Sequence, residues 1–261
     1  MDTLMRTLKF LLLAVILVGL GSPAYAQAPV QIDWTGRGYF HVSVAGQAKD
    51  QTFNDSSTFT IYNERGAVAS AQSIGGGTMF DIAAGARVWR NFGVGLGWSS
   101  VENKNDAFVS VRVPHPLVFG ASREAGATAD DLKHSENAVH LSLVWMMRLT
   151  DRIQLAVMGG PSFFTVRQEI ATVRAPQDIR DVAPFTSVSI TSVTVTEVKD
   201  SPVGGHIGID GTYMITPMIG VGVFARYAGA SLDLPVEAGV TRDEGLSTGG
   251  PQGGIGLRLR F

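Results

Sequence analysis

Eight amphipathic segments, joined by connections that alternate between short and long, constrain the fold of this 261-residue chain more than any other feature. Within each segment apolar residues recur at every second position, which is the period of a β-strand. The segments lie at about residues 36–48, 76–89, 92–103, 136–149, 152–167, 203–215, 218–232 and 249–261. Tight turns are predicted at Arg90–Asn91, Thr150–Asp151 and Thr216–Pro217, whereas the other connections, at 49–75, 104–135, 168–202 and 233–248, are long. This alternation predicts an antiparallel barrel of four hairpins.

The two faces of each segment differ in polarity. In the last segment Leu257, Leu259 and Phe261 share one face, and Arg258 and Arg260 share the other. Because the charges lie opposite the apolar set, we expect the apolar face to point outward into lipid and the charges to point into the barrel. A secreted ligand-binding barrel of the lipocalin kind would have the reverse arrangement.

These features carry a resemblance to a known group of proteins. The alternating last strand with its terminal phenylalanine resembles the C-terminal signal by which bacterial outer-membrane barrels are recognised for insertion, which implies an assembly signal at Leu257, Leu259 and Phe261. Over residues 27–261 the chain resembles the small outer-membrane barrels of the OmpA/OmpX type. The resemblance implies an all-β, eight-stranded, antiparallel up-and-down transmembrane β-barrel with short periplasmic turns and long extracellular loops.

The first 26 residues have the pattern of a secretory signal. Arg6 and Lys9 precede an apolar run at residues 10–20, and small residues occupy Ala24 and Ala26. The run is shorter than the roughly 20 residues that a spanning helix needs. We therefore expect a cleaved signal peptide at 1–26, a single barrel domain at 27–261 and a location in the bacterial outer membrane.

Composition narrows the set of partners. The chain has no cysteine, so it can form neither a disulfide nor a thiolate metal site, and its net charge of −2 at pH 7 gives no basic footprint for nucleic acid. Its five histidines are scattered without metal-ligand spacing, so no cofactor or metal is predicted. The expected partners are outer-membrane lipids, the barrel-insertion machinery and an extracellular protein bound through the long loops, and the expected state is a monomer.

Several charged residues fall on the inward face. They are Arg37, Asp81, Arg87, Arg148, Asp210, Arg226, Arg258 and Arg260. Because side chains fill the interior of an eight-stranded barrel, these charges are expected to form salt bridges rather than to line a permeation path. Asp81, Asp210 and Arg226 lie at similar distances from the periplasmic ends of their strands, which predicts that they share one network.

Three functions remain open. The first is a non-enzymatic surface-interaction or structural envelope role; the second is a narrow passage for small hydrophobic molecules or ions. The third is lipid modification, because outer-membrane lipid A deacylases use a His and a Ser two residues apart, a spacing that His140 and Ser142, and also His41 and Ser43, reproduce. Both pairs face inward and no Glu partner is identifiable, so we predict no enzymatic activity.

The long connections differ in character. Residues 104–135 contain strand-like sequence interrupted by Pro114 and Pro116, and residues 185–198 are expected to prolong the sixth segment by pairing with 164–174. Residues 49–75 and 233–248, rich in polar and small residues, are predicted to be mobile surface.

Overall fold

A computed structural model describes residues 37–234, 239–242 and 245–261. The predicted signal peptide lies outside these ranges. The described strands are β1 Gly38–Ile61, β2 Glu64–Trp89, β3 Phe92–Pro114, β4 Ser122–Arg148, β5 Ile153–Thr172, β6 Ile179–Arg180, β7 Ser189–Ile190, β8 Thr194–Asp200, β9 Val203–Met214, β10 Ile219–Leu232, β11 Val240–Arg242 and β12 Leu246–Arg260. Among these residues no helix has the length and apolarity required to cross a membrane.

Eight of these strands form a closed ring. Their order is β1–β2–β3–β4–β5–β9–β10–β12, and every neighbouring pair is antiparallel. β1 closes the ring because Val42 is paired with Ile82 of β2 on one side and with Leu257 of β12 on the other. The predicted eight-stranded up-and-down barrel is confirmed.

The three predicted tight turns are present at one end of the barrel. Arg90 takes the left-handed conformation, with φ of 48°, and lets β2 reverse into β3. Two turns begin with a threonine whose hydroxyl accepts a backbone hydrogen bond: Ile153 N–H donates to Thr150 Oγ1 at 3.0 Å, and Ile219 N–H donates to Thr216 Oγ1 at 2.9 Å. The two threonine hydroxyls thus provide acceptors for backbone N–H groups at the start of the following strands.

At the other end the strands continue well beyond their predicted limits. Residues 49–75, predicted to be mobile surface, form the outer parts of β1 and β2 and reverse at Tyr62 and Asn63, with φ of 54° and 60°. The prediction was wrong because many polar residues of this stretch lie on the outward face of continuous strands, although Asp55 and Gln72 are buried on the inward face. Phe53, Val68 and Ile74 point inward and are buried.

The other long connections are also partly regular. β3 and β4 continue to a turn at residues 115–121. In 168–202 only Thr194–Asp200 pairs with β5, opposite Val166–Thr172, while the short β6 and β7 pair with each other. Part of 233–248, also predicted to be mobile, pairs with β1 as β11, with Arg242 opposite Asp55.

The outward face changes from apolar to polar along the strands. Near the tight turns it is an apolar belt that includes the exposed side chains of Val94, Leu96, Leu141, Leu143, Ile207, Ile209, Val221, Val223, Ile255 and Leu257. On β3 the outward positions beyond Trp98 include the charged residues Glu102, Lys104, Asp106 and Arg112, with Phe108 as an apolar exception. Inward Val101, Val109 and Val111 belong to apolar clusters. The 23 residues of β3 exceed the roughly 10 that a bilayer requires, so the outer half of the barrel stands in water.

The outer half has a core of its own. One cluster contains Phe53, Phe164, Val166, Leu232 and Leu246. A second, containing the upper part of β3, is covered by the chain that follows β5 through Val173 and Val188. An apolar exterior around a closed sheet is stable only in lipid, and barrels of this kind span bacterial outer membranes. The chain is therefore an integral outer-membrane β-barrel with its tight turns in the periplasm and its long hairpins outside the cell.

Candidate functional site

Two regions combine polar or exposed side chains in a way that could carry function: the interior of the membrane-spanning half and the outer tip. In the interior, Arg226 of β10 donates from Nη2 to Asp81 Oδ2 of β2 at 2.8 Å and from Nε to Gln252 Oε1 at 2.7 Å. All three side chains are buried. The pair crosses the barrel, so it ties together strands that do not pair directly.

Asp210 belongs to a separate pair. Its carboxylate accepts hydrogen bonds from Arg258 Nη2 at 2.6 Å and Nε at 3.0 Å, and both side chains are almost inaccessible, at 2% and 1% exposed. Arg258 Nη1 also donates to Ser43 Oγ at 2.8 Å. Asp81 and Asp210 therefore belong to two separate ion pairs, where the sequence predicts a single network of Asp81, Asp210 and Arg226.

Gly222 explains this change of partner. It lies on β10, between β9 with Asp210 and β12 with Arg258. A Cβ at residue 222 would lie 2.7 Å from Arg258 Nε, so only glycine lets the arginine cross β10 to reach the carboxylate.

The remaining residues predicted as interior charges lie near the periplasmic end. Arg37 and Arg148 are exposed instead of interior, and Arg148 forms an ion pair with Asp151 in the adjoining turn. Arg87 is half-buried, and Arg260 lies largely inside with its guanidinium over the Tyr39 ring. Arg37 and Arg148 are exposed because they lie at strand ends, outside the enclosed interior of the barrel.

Glu136 joins a layer of the interior that the sequence reading missed. Its carboxylate accepts hydrogen bonds from Lys49 Nζ and Gln47 Nε2, both at 2.8 Å, and from the Gly249 N–H at 3.0 Å, and it lies 2.9 Å from His134 Nε2. Glu136 lies four residues before His140, which was predicted to point inward, so the two-residue period of the strand could have placed Glu136 in the interior as well. Lys49 could not be found in this way because it lay beyond the predicted end of its strand.

Hydroxyl and imidazole groups form a hydrogen-bonded chain across the interior. Ser99 Oγ lies 3.0 Å from His140 Nε2, His140 Nδ1 lies 2.8 Å from Ser162 Oγ, and Ser162 Oγ lies 2.9 Å from His206 Nδ1. His206 Nε2 lies 2.9 Å from Ser142 Oγ. His140 and Ser142 are thus bonded to other residues, and no carboxylate orients either imidazole in these contacts.

The second predicted His–Ser pair is separated as well. Ser43 is engaged by Arg258, and His41 Nε2 has no hydrogen-bond partner among the described residues. The cavity beside these groups measures about 40 Å³, which is room for a few water molecules and not for an acyl chain. In the described ranges no group of three or more His, Asp or Glu is arranged to hold a metal ion.

The outer tip is fastened by a polar clasp, formed by Arg123, Asp181 and Tyr62. Arg123 of β4 holds Asp181 with both terminal nitrogens, one at 2.7 Å, and the Tyr62 hydroxyl donates to the same carboxylate at 3.2 Å. The Gly120 N–H donates to Glu64 at 3.2 Å, which joins the β3–β4 turn to the β1–β2 hairpin. These hydrogen bonds therefore link the β1–β2 hairpin, the β3–β4 hairpin and the segment that contains Asp181.

An apolar turn projects from this clasp. Leu117, Val118 and Phe119 are 76%, 53% and 91% exposed. His115 orients the turn because its Nδ1 accepts the Leu117 N–H at 3.1 Å. Exposed neighbouring apolar side chains in a fixed turn are typical of interaction surfaces.

Acidification is expected to release the clasp. Hydrogen bonding by Arg123 holds the pKa of Asp181 below its ordinary value. The pair therefore stabilises the tip at pH values above the ordinary carboxyl pKa of about 4, and this contribution disappears as the pH falls through the lowered value. Hydrogen exchange of residues 173–193, corrected for its intrinsic pH dependence, should accelerate in acid. Asp181→Asn should exchange rapidly even at neutral pH; an unchanged acid transition in that variant would contradict this role.

Comparisons with known proteins concern the fold. The sequence matches no protein-family model and no curated protein. Similar solved structures include the outer membrane protein OprG from Pseudomonas aeruginosa, with 14% identity, coverage of 87% of this chain and 96% of that chain, and a TM-score of 0.45. Neisserial surface protein A has 12% identity, coverage of 85% and 97%, and a TM-score of 0.41. The outer membrane protease OmpT from Escherichia coli has 8% identity, coverage of 90% and 99%, and a TM-score of 0.44. These similarities assign no activity to the chain.

Proposed function

We propose that this outer-membrane barrel is a non-enzymatic surface protein that binds an extracellular protein through its outer tip. The observation that carries the proposal is the exposed turn Leu117–Phe119, an apolar group mounted on the Arg123–Asp181–Tyr62 clasp. A protein partner with an apolar groove is the favoured ligand, because rigid apolar side chains anchor protein interfaces at little entropic cost.

The position of the turn supports recognition at a distance from the cell. From Trp98, at the edge of the apolar belt, to Pro114, at the end of β3, the strand runs for about 50 Å at about 3.3 Å per residue. With the usual barrel tilt this raises the turn about 40 Å above the belt. The turn is therefore out of reach of the hydrocarbon of its own membrane and faces whatever approaches the cell.

The interior favours this role over a passage or a lipid-modifying enzyme. The layer around Arg226 and the layer around Glu136 place paired charges across the barrel, and the apolar core of the outer half lies above them. A solute would have to separate buried ion pairs to pass. The Ser–His chain is enclosed beside a cavity too small for a lipid acyl chain.

The test is a triple variant, Leu117→Ser, Val118→Ser and Phe119→Ser, displayed on bacteria that otherwise lack the protein. Cells with the unaltered protein should adhere to surfaces coated with host extracellular-matrix proteins, and the variant should lose at least about tenfold in adherence, since a single anchoring side chain contributes about 2 kcal/mol. Surface amounts are equalised with an antibody to a terminal tag.

Phe108→Ser is the matched control, because Phe108 is an exposed apolar residue on the outer wall of β3, away from the turn. It should leave adherence unchanged. Equal losses in both variants would mean that general surface hydrophobicity is responsible, and adherence that survives the triple change would refute binding through the tip.

A further inference from the structure

The periplasmic half of the interior carries a surplus positive charge. Each of the two carboxylates there holds one arginine, Asp81 with Arg226 and Asp210 with Arg258. Arg260 is largely buried, and it forms no salt bridge with a carboxylate in the described part of the chain. Its guanidinium carbon lies 5.3 Å from the centre of the Tyr39 ring, a contact that does not neutralise the charge. A buried cation without a counter-charge is strongly unfavourable.

Two buried nitrogen atoms at this place lack hydrogen-bond partners. They are Nε of Arg260 and Nε2 of His41, and neither has a partner among the described residues. Both side chains line the same cavity of about 40 Å³, together with Tyr39. Buried donors in native proteins are almost always satisfied, by protein or by a bound species. The cavity wall therefore carries a guanidinium donor and an imidazole nitrogen that no group of the described residues satisfies.

The fold builds this cavity rigidly. Tyr39 occupies space that only glycine leaves open, because a Cβ at Gly95 would lie 2.2 Å from the Tyr39 hydroxyl and one at Gly85 would lie 2.4 Å from it. Met146 and Met158 also line the cavity and pack against the cluster that contains Tyr39. Such a chamber admits a monatomic ion or a few water molecules, but not an organic molecule.

We propose that this cavity binds one small inorganic anion of the size of chloride, held by the Arg260 Nε–H and by His41 in the tautomer that carries hydrogen on Nε2. The anion satisfies both donors and neutralises the surplus charge, whereas water would satisfy the donors and leave the charge. Asp81 and Asp210 also line the cavity, but their charges are already engaged by Arg226 and Arg258.

The test measures anion-dependent stability of the refolded chain in a non-ionic detergent. Urea unfolding midpoints are recorded in sodium chloride and in sodium gluconate at equal ionic strength, since gluconate is too large for the cavity. Chloride should raise the midpoint in a saturable manner, as expected for a ligand that binds only the folded state, and gluconate should not. Arg260→Gln should abolish the difference, while Arg37→Gln, an exposed arginine at the same end, should retain it.

Bromide provides a measurement that needs no variant. In crystals grown with bromide, anomalous scattering should show a peak between Arg260 Nε and His41 Nε2. An empty cavity in that experiment, or equal midpoints in chloride and gluconate for the unaltered protein, would overturn the proposal.

Discussion

Replacing Arg258 by methionine is expected to lower the free energy of unfolding by about 3–5 kcal/mol, because the change leaves the Asp210 carboxylate buried without its counter-charge. After the substitution, the hydrogen bond from Thr212 Oγ1, at 2.9 Å, is the remaining side-chain contact of Asp210 in the described structure. Methionine keeps much of the buried volume, so the loss reports on charge more than on packing. Urea unfolding of the protein refolded in detergent, followed by tryptophan fluorescence, measures it.

A double-mutant cycle distinguishes the two interior pairs. Combining Arg258→Met with Asp210→Ala should recover part of the loss, since neither charge is then unpaired. Combining Arg258→Met with Asp81→Ala should give additive losses, because Asp81 is held by Arg226 and not by Arg258. Coupling in the second cycle and additivity in the first would contradict the pairing of Arg258 with Asp210.

Deleting Phe261 is expected to reduce the amount of barrel in the outer membrane by at least about tenfold, while the refolded protein loses only about 1.5–3 kcal/mol, the value of one buried aromatic side chain. The stability loss should fall at or below the lower end of this range, because the Phe261 side chain is 66% exposed. We predict a large effect in cells because Leu257, Leu259 and Phe261 lie on one outward face, where insertion machinery could read them.

The backbone of Phe261 also contributes to closure of the ring. Its N–H donates to the Gly38 oxygen at 3.1 Å, and its oxygen accepts the Gly38 N–H at 2.7 Å. Phe261→Ala keeps these hydrogen bonds and removes only the ring, so it is the matched control for deletion. If Phe261→Ala inserts as well as the unaltered protein, the ring is not part of an assembly signal. If both changes impair insertion and detergent stability equally, Phe261 acts as a packing residue.

The two-residue period predicted which way each side chain points with good accuracy. Asp81, Asp210, Arg226 and Arg258 were assigned to the interior by parity alone, and all four are buried there. Parity works because successive residues of a strand point to opposite faces whatever the strand later pairs with. The same period identified the apolar belt, and the spacing of the segments identified the three tight turns.

The length of the strands was harder to predict. Above the membrane the outward face meets water, so residues 49–75 combine outward polar side chains with inward Phe53, Val68 and Ile74. A search for strands with an apolar outward face therefore mistakes these residues for a polar loop. Phe53 and Ile74 were the available signal, because they fall on inward positions of continuous strands.

The sequence by itself determined the closed antiparallel barrel, the lipid-facing belt and the set of charges inside it, because these follow from local alternation and from the spacing of turns. Only the tertiary structure decided which charges meet. Arg258 reaches Asp210 across β10 because Gly222 leaves space there, and Arg260 is left beside His41 without a carboxylate in the described structure. The tilt and stagger of the strands set the position of each charged residue along the barrel axis. Both arise from closing the whole ring and not from any single segment.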